Sequence, residues 1–389
     1  MSKTKIEWTD ETWNVTGGCT PVSAGCLNCA AARSARRCIG FGNDKYKGLV
    51  NGSKWTGEIR LYPDELEKPL HWKQQRRVFV DFMSDLFHPD VPFDFIDKVW
   101  AVMALCPDHT FQVLTKRPER MAEYINFITG EASDGPGGYP VQDHFSDVIL
   151  DSKSYMEKAT ALEKDDLKYN HAAGRRTPSY DYFYAEILNK IEAIHWPLPN
   201  VWLGTTAENQ EMANLRIPEL LKCPAAKRFV SVEPMLGAVD LTKYVTLRYG
   251  KSPDDCNVMD SCGECNTYPC PSKPNVIYLD WVICGGESGP GARPMYPDWA
   301  RSIRDQCKAA GVPFFFKQWG AWVDSDLTEV KGNIKNAKIM FPDGSTVLWQ
   351  DKPWNHYEFY ERGGLEVVRV GKKKAGSLLD GAQHKEMPI

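Results

Sequence analysis

Three cysteines stand close together near the start of the chain, Cys19, Cys26 and Cys29, with the spacing C-x6-C-x2-C. They lie on a loop that also carries Gly17, Gly18, Pro21 and Gly25. Three thiolates on such a loop wrap a soft metal or a metal–sulfur cluster. A closed zinc site or a fully protein-held cluster takes four ligands. Three leave one position open, as a catalytic cluster needs. Spacing alone leaves two readings standing: a structural zinc site with a distant fourth ligand, and an iron–sulfur cluster. The Ala30–Arg33 stretch that follows reads as helical, and a helix starting near Cys29 would aim its N–H groups at anionic thiolates.

A second group, Cys256, Cys262, Cys265 and Cys270, has the spacing C-x5-C-x2-C-x4-C and forms a complete ligand set. Structural zinc is the preferred reading, with an auxiliary iron–sulfur cluster as the alternative. The other five of the 12 cysteines, Cys38, Cys106, Cys223, Cys284 and Cys307, read as small buried hydrophobes.

The elements that would position these groups are legible as near-continuous apolar runs. Strands are expected at Arg77–Phe82, Thr110–Leu114, Val201–Leu203, Arg228–Val232, Trp281–Cys284 and Pro313–Phe316. Helices are expected at Phe95–Leu105, Gln210–Leu221 and Asp298–Ala310, the last with Asp298 as N-cap and Gly311 as C-cap. This alternation implies an α/β fold, a complete or partial (β/α) barrel. Polar residues gather after each apolar run: Asp81, Ser84 and Asp85; Thr115, Lys116 and Arg117; Thr205, Thr206 and Glu208; Ser231 and Glu233; Gly285, Gly286, Glu287 and Ser288; Lys317, Gln318 and Trp319. In an α/β barrel such strand ends share the face where active sites form.

The barrel is assigned to residues 1–320. Polar insertions fall at about 130–195 and 243–278, the second carrying the second cysteine group. A small C-terminal extension, 321–389, contains a β-hairpin turning at Asp343-Gly344. The chain has 389 residues and a net charge of −4, which argues against bulk attraction to nucleic acid and leaves only local basic clusters. No apolar stretch approaches the length of a membrane span, and the start of the chain shows no signal peptide, so a cytoplasmic protein is expected.

A three-cysteine loop opening an α/β barrel resembles the radical S-adenosylmethionine (SAM) superfamily. More specifically, the chain resembles a phage-encoded family of radical-SAM-like proteins, through Ile6–Asn14, the cysteine loop, Phe82–Pro92, Phe111–Met121, Asn200–Thr206, Phe229–Pro234, Asp280–Pro294 and Phe314–Gly320. The resemblance departs from the superfamily's commonest loop in its longer first gap and in Asn28, which takes an aromatic position. It departs from the phage family at Ala30, where tyrosine is usual.

The resemblance implies a 4Fe–4S cluster on Cys19, Cys26 and Cys29, and SAM bound to its fourth iron and cleaved to a 5′-deoxyadenosyl radical. It also implies an electron donor such as flavodoxin or ferredoxin, and a phage or prophage setting in a bacterial host. Asp81, Ser84 and Asp85 match the place that holds the SAM ammonium. Glu208 and Glu233 are candidates for the ribose or methionyl group, and the Gly285-Gly286 turn for close approach of adenine. Lys116, Glu287 and Lys317 are assigned to chemistry on the substrate, with Arg117 and Arg293 as further anion-binding candidates. The substrate implied is a DNA base or nucleotide that is modified or rearranged. A repair lyase similar to spore photoproduct lyase is one alternative; a zinc-stapled nucleic-acid-binding protein without catalysis is the other.

Overall fold

Valine, isoleucine and phenylalanine dominate the runs that become the main sheet, because β-branched and aromatic side chains fit a pleated surface buried on both faces. A computed structural model of the protein describes residues 4, 6–129, 148, 194–245, 278–327, 337–351 and 358–388. The second cysteine group and nearly all of both expected insertions lie outside the described residues.

The strands of the main sheet are β1 (Glu11–Trp13), β2 (Arg77–Val80), β3 (Thr110–Thr115), β4 (Val201–Thr206), β5 (Lys227–Val232), β6 (Trp281–Gly285) and β7 (Phe314–Gln318). Their order in the sheet follows the chain, β1 to β7. The β1–β2, β2–β3, β5–β6 and β6–β7 pairs are all parallel, and apolar residues sit in register, Val78 beside Phe111 and Val282 beside both Val230 and Phe314. Among the described residues the sheet has two edges, β1 and β7, and the architecture is that of a partial β/α barrel. Strand β1 was not expected from the sequence, because its three residues include only one apolar side chain, Trp13.

The helices are α1 (Ala30–Gly40), α2 (Phe93–Ala104), α3 (Pro118–Thr129), α4 (Gln210–Lys222) and α5 (Pro297–Ala310). Helix α5 starts one residue before its expected cap: Tyr296 occupies the N-cap with no side-chain bond, and Asp298 sits in the first turn. Gly311 ends α5 in the left-handed conformation, as expected.

Two compact units divide the chain: Met1–Thr20 with Ala31–Leu203 and Cys223–Ala226, and Pro21–Ala30 with Gly204–Lys222 and Lys227–Ile389. The first unit is cored by Trp13, Phe87, Trp100, Phe111 and Tyr124, all at most 1 % exposed. Burial of each stabilises by roughly 1.5–3 kcal/mol. Tyr124 satisfies its hydroxyl by donating to Asp97 at 2.9 Å. In the second unit Phe229 packs tilted against Trp281, and Trp281 meets Phe315 edge to face.

The C-terminal stretch belongs to this second unit. Its strands β8 (Trp322–Asp324), β9 (Lys338–Met340), β10 (Thr346–Leu348) and β11 (Leu365–Arg369) form an antiparallel sheet in the order β8-β11-β9-β10. The β9–β10 hairpin turns at Asp343-Gly344 as expected, with Gly344 at φ +88°.

Candidate functional site: a braced cysteine loop

The cysteine loop is described in two parts, because Cys19 falls in the first unit and Cys26 and Cys29 in the second. All three are half-buried and free of disulfides.

In the first unit the chain approaches Cys19 under tight control from the ends of β2 and β3. Asp81, one residue past β2, has φ +57° and is 2 % exposed. Its Oδ1 accepts the N–H groups of Val15 and Thr16 at 2.9 Å each, and its Oδ2 accepts the Thr16 hydroxyl at 2.9 Å. The Ser84 hydroxyl donates to the Gly18 carbonyl at 2.6 Å. Gly18 has φ +95°, and a Cβ there would lie 2.0 Å from the Glu58 carbonyl oxygen, so no other residue fits.

Asp85 is fully engaged. Its Oδ1 accepts from the Thr115 hydroxyl (2.6 Å) and the Phe87 N–H (3.1 Å), its Oδ2 from the Lys116 N–H (3.2 Å) and Arg117 Nη1 (2.8 Å). Arg117 also donates to Cys19 Sγ at 3.8 Å and, through Nη2, to Thr20 O and Oγ1 at 3.0 and 2.9 Å. Burial works against the Arg117 charge, but Asp85 and Cys19 beside it hold its pKa above the usual value.

The second unit repeats the device with other residues. Glu208, two residues past β4, is fully buried; its Oε1 accepts the Gly25 N–H at 3.1 Å and its Oε2 pairs with Arg216 of α4 at 3.0 Å. Asn28, between Cys26 and Cys29, donates to Glu287 Oε2 at 3.0 Å and to the Gly291 carbonyl at 2.8 Å. Glu287 follows β6 and is clamped by Arg293, which donates from its backbone N–H, Nε and Nη2 at 2.9, 2.9 and 2.8 Å. Burial pushes the Glu287 carboxyl up, but Arg293 and Asn28 outweigh it and hold the pKa below the usual range.

Most strand-end residues singled out from the sequence thus bond the cysteine loop and its approach. Asp81, Ser84, Glu208 and Glu287 bond the chain between Val15 and Asn28, and Asp85 holds Arg117, which bonds Cys19 and Thr20. Those bonds compete with the ammonium, ribose and substrate roles assigned to them from the sequence. The bracing role of Asn28 and Arg216 was missed; Asn28 stood out only as a polar residue where an aromatic was expected.

The remaining candidates form a smaller group in the second unit. Lys317 Nζ pairs with Glu233 at 2.8 Å. Gln318 Nε2 donates to the Gly286 carbonyl at 3.3 Å, while its buried Oε1 has no partner among the described residues. The space above Gly286 is filled by the chain itself: a Cβ there would lie 2.0 Å from the Trp319 carbonyl oxygen, while one at Gly285 would touch Lys317 and Glu233. Close strand packing therefore explains Gly286, whereas the contacts at Gly285 are of ordinary van der Waals length. Trp319 is 4 % exposed and donates to the Leu378 carbonyl, so it serves the core. Lys116 is half-buried and makes no ion pair among the described residues. Of the lone cysteines, Cys106, Cys223, Cys284 and Cys307 are buried and Cys38 is half-buried; burial pushes the Cys307 thiol up to about 12.

Asp81 gives this bracing a pH signature. Burial pushes its carboxyl from the ordinary 3.8 to about 7, against the pull of its three donors. The folded state therefore favours the protonated acid. That contribution to stability is complete below about pH 4 and is lost as pH rises through 7. Asp81→Asn keeps an acceptor for both N–H groups and tolerates the positive φ. Between pH 5 and 8, wild type is expected to lose on the order of 2 kcal/mol more than Asp81→Asn. Urea denaturation at the two pH values checks this; equal losses would contradict it.

Among the described residues, no group of three or more His, Cys, Asp or Glu side chains is placed to hold a metal ion together, and no helix is long and apolar enough to cross a membrane. Thiolates of an iron–sulfur cluster each bind a different iron, so they stand farther apart than ligands sharing one ion. The donor set itself, soft sulfurs with a guanidinium at one of them, suits such a cluster. Residues 3–388 match the model of a family described as a protein of unknown function (DUF5131). No curated protein and no solved structure matches the chain.

Proposed function

The chain belongs to the DUF5131 family, and from that premise we propose that it is a radical SAM enzyme. One observation carries the reading: side chains at the C-terminal ends of parallel strands brace the loop that bears Cys19, Cys26 and Cys29. A structural zinc loop needs only its metal to hold it. Here Asp81, Ser84, Asp85 and Arg117 hold its first part, and Glu208, Glu287 and Asn28 its second, as pre-organisation of a reactive centre requires.

Cys19, Cys26 and Cys29 would hold a 4Fe–4S cluster, which when bound supplies the electron that cleaves SAM to a 5′-deoxyadenosyl radical. The chain's own part is orientation and charge. Arg117 and the buried carboxylates fix where the thiolates stand. Lys116, which makes no ion pair among the described residues, is suited to an anionic group of SAM or substrate. Lys317 and Glu233 are suited to hold or move a proton near the substrate. The substrate we infer is a nucleotide or a DNA base, which the enzyme would have to extrude from a duplex before abstracting hydrogen.

Protein loaded with iron and sulfide without oxygen, then given SAM and dithionite, tests the activity. It is expected to release 5′-deoxyadenosine, and Cys26→Ala is expected to release none. Iron-loaded wild type that leaves SAM intact would overturn the reading. Nucleoside mass spectrometry after incubation with phage DNA tests the substrate class.

A further inference from the structure

Arg117 leaves the end of β3 with its side chain buried, 5 % exposed. A guanidinium does not give up its charge in a protein. The Cys19 sulfur therefore faces a permanent cation, 3.8 Å away, on a rigid mount. The mount has two sides. Asp85 grips Nη1 and is itself held by the Thr115 hydroxyl and two backbone N–H groups.

Thr20 grips Nη2 with its carbonyl and its hydroxyl oxygen. That hydroxyl also meets His88 Nε2 at 2.8 Å. His88 Nδ1 accepts the Asp90 N–H at 3.2 Å, which assigns the proton of a neutral ring to Nε2 and makes it a donor to Thr20. All these residues belong to the first unit.

Stability alone does not account for this arrangement, because burying an Arg–Asp pair often costs as much desolvation as the pair returns. A resting Cys19 thiol has another partner, the Thr20 carbonyl at 3.4 Å. A metal-bound thiolate cannot donate to that carbonyl, whereas it can still accept from Arg117.

We propose that Arg117 is a positioning residue that sets the reduction potential of the metal centre held through Cys19, with Asp85 as its electrostatic counterweight. The proposal rests on the cluster reading above. Hydrogen bonds to cluster sulfurs and nearby charge are what tune such potentials. A donor and cation at Cys19 favours the reduced, more negative state. The Asp85 carboxylate, bonded to the same nitrogen, opposes it.

The two residues should therefore act with opposite signs. A redox titration of the iron-loaded protein, followed by electron paramagnetic resonance of the reduced state, reads this directly. Arg117→Gln is expected to lower the reduced-to-oxidised ratio at a fixed potential about tenfold, equivalent to about 59 mV for a one-electron couple. Asp85→Asn is expected to shift the ratio the other way. Arg117→Lys keeps a buried cation, guards against a folding failure of the glutamine variant, and should give a smaller shift of the same sign. Unchanged potentials at full iron content would overturn the proposal. So would shifts of one sign in both Arg117→Gln and Asp85→Asn, which mark general loosening of the loop. A wild type that takes up no iron and sulfide overturns the functional reading instead, and is recognised before any potential is measured.

Discussion

Glu208→Ala is expected to cost about 3–5 kcal/mol of folding stability, the usual cost of leaving one member of a buried ion pair alone. Arg216 and Glu208 are 2 % and 0 % exposed, and their 3.0 Å contact is buried. Among the described residues, alanine leaves the guanidinium with the Thr206 carbonyl as partner. It also removes the acceptor for the Gly25 N–H, so the loop between Cys19 and Cys26 loses its hold on β4. Two effects should appear together: a lower urea midpoint, and weaker retention of metal by whatever protein remains folded. Glu208→Gln keeps an acceptor for Gly25 but not the charge, and should retain metal better at a similar loss of stability. A Glu208→Ala protein within about 1 kcal/mol of wild type would show that Arg216 finds solvent or another partner.

Gly18→Ala is the second large effect, and it reaches the site through the backbone alone. The residue has φ +95°, which a side chain rarely tolerates, and its added Cβ would meet the Glu58 carbonyl oxygen at 2.0 Å. Backbone cannot rotate away as a side-chain tip can. The loop must move, and Cys19 is the next residue. Loss of several kcal/mol is expected, since clash and left-handed strain each cost on the order of 1–3 kcal/mol. Metal analysis of the purified variant should show loss at the first cysteine group even at low temperature, where the fold survives. Full metal content in a stable Gly18→Ala protein would mean that Cys19 has no part in holding it.

These expectations show where sequence reasoning carries and where it stops. Six strands of the main sheet lie within a few residues of the apolar runs that announced them, because hydrophobic periodicity is local. Strand β1 escaped because Glu11-Thr-Trp13 has no such run, and only pairing with Val78–Val80 makes it a strand. The strand-end residues were legible as a group, but their roles were not. A carboxylate after a strand says only that it has an acceptor to offer. What it accepts from lies far along the chain: Asp81 reaches back to Thr16, and Glu287 to Asn28 across 259 positions. The positive φ of Asp81 is likewise invisible, since glycine is the residue that announces that conformation. The Gly285-Gly286 turn reads as room for adenine, because sequence cannot distinguish space left for a ligand from the space that Trp319 fills.

The metal content of the first cysteine group tests the account most directly. Wild type and a variant with alanine at Cys19, Cys26 and Cys29 would be purified and reconstituted without oxygen, and iron, acid-labile sulfide and zinc measured for both. The difference between them removes any contribution of Cys256, Cys262, Cys265 and Cys270. The account predicts that wild type holds about four irons and four sulfides per chain more than the variant, with the broad visible absorption of a thiolate-bound cluster. Zinc without sulfide as the difference, or equal iron in the two proteins, would contradict it.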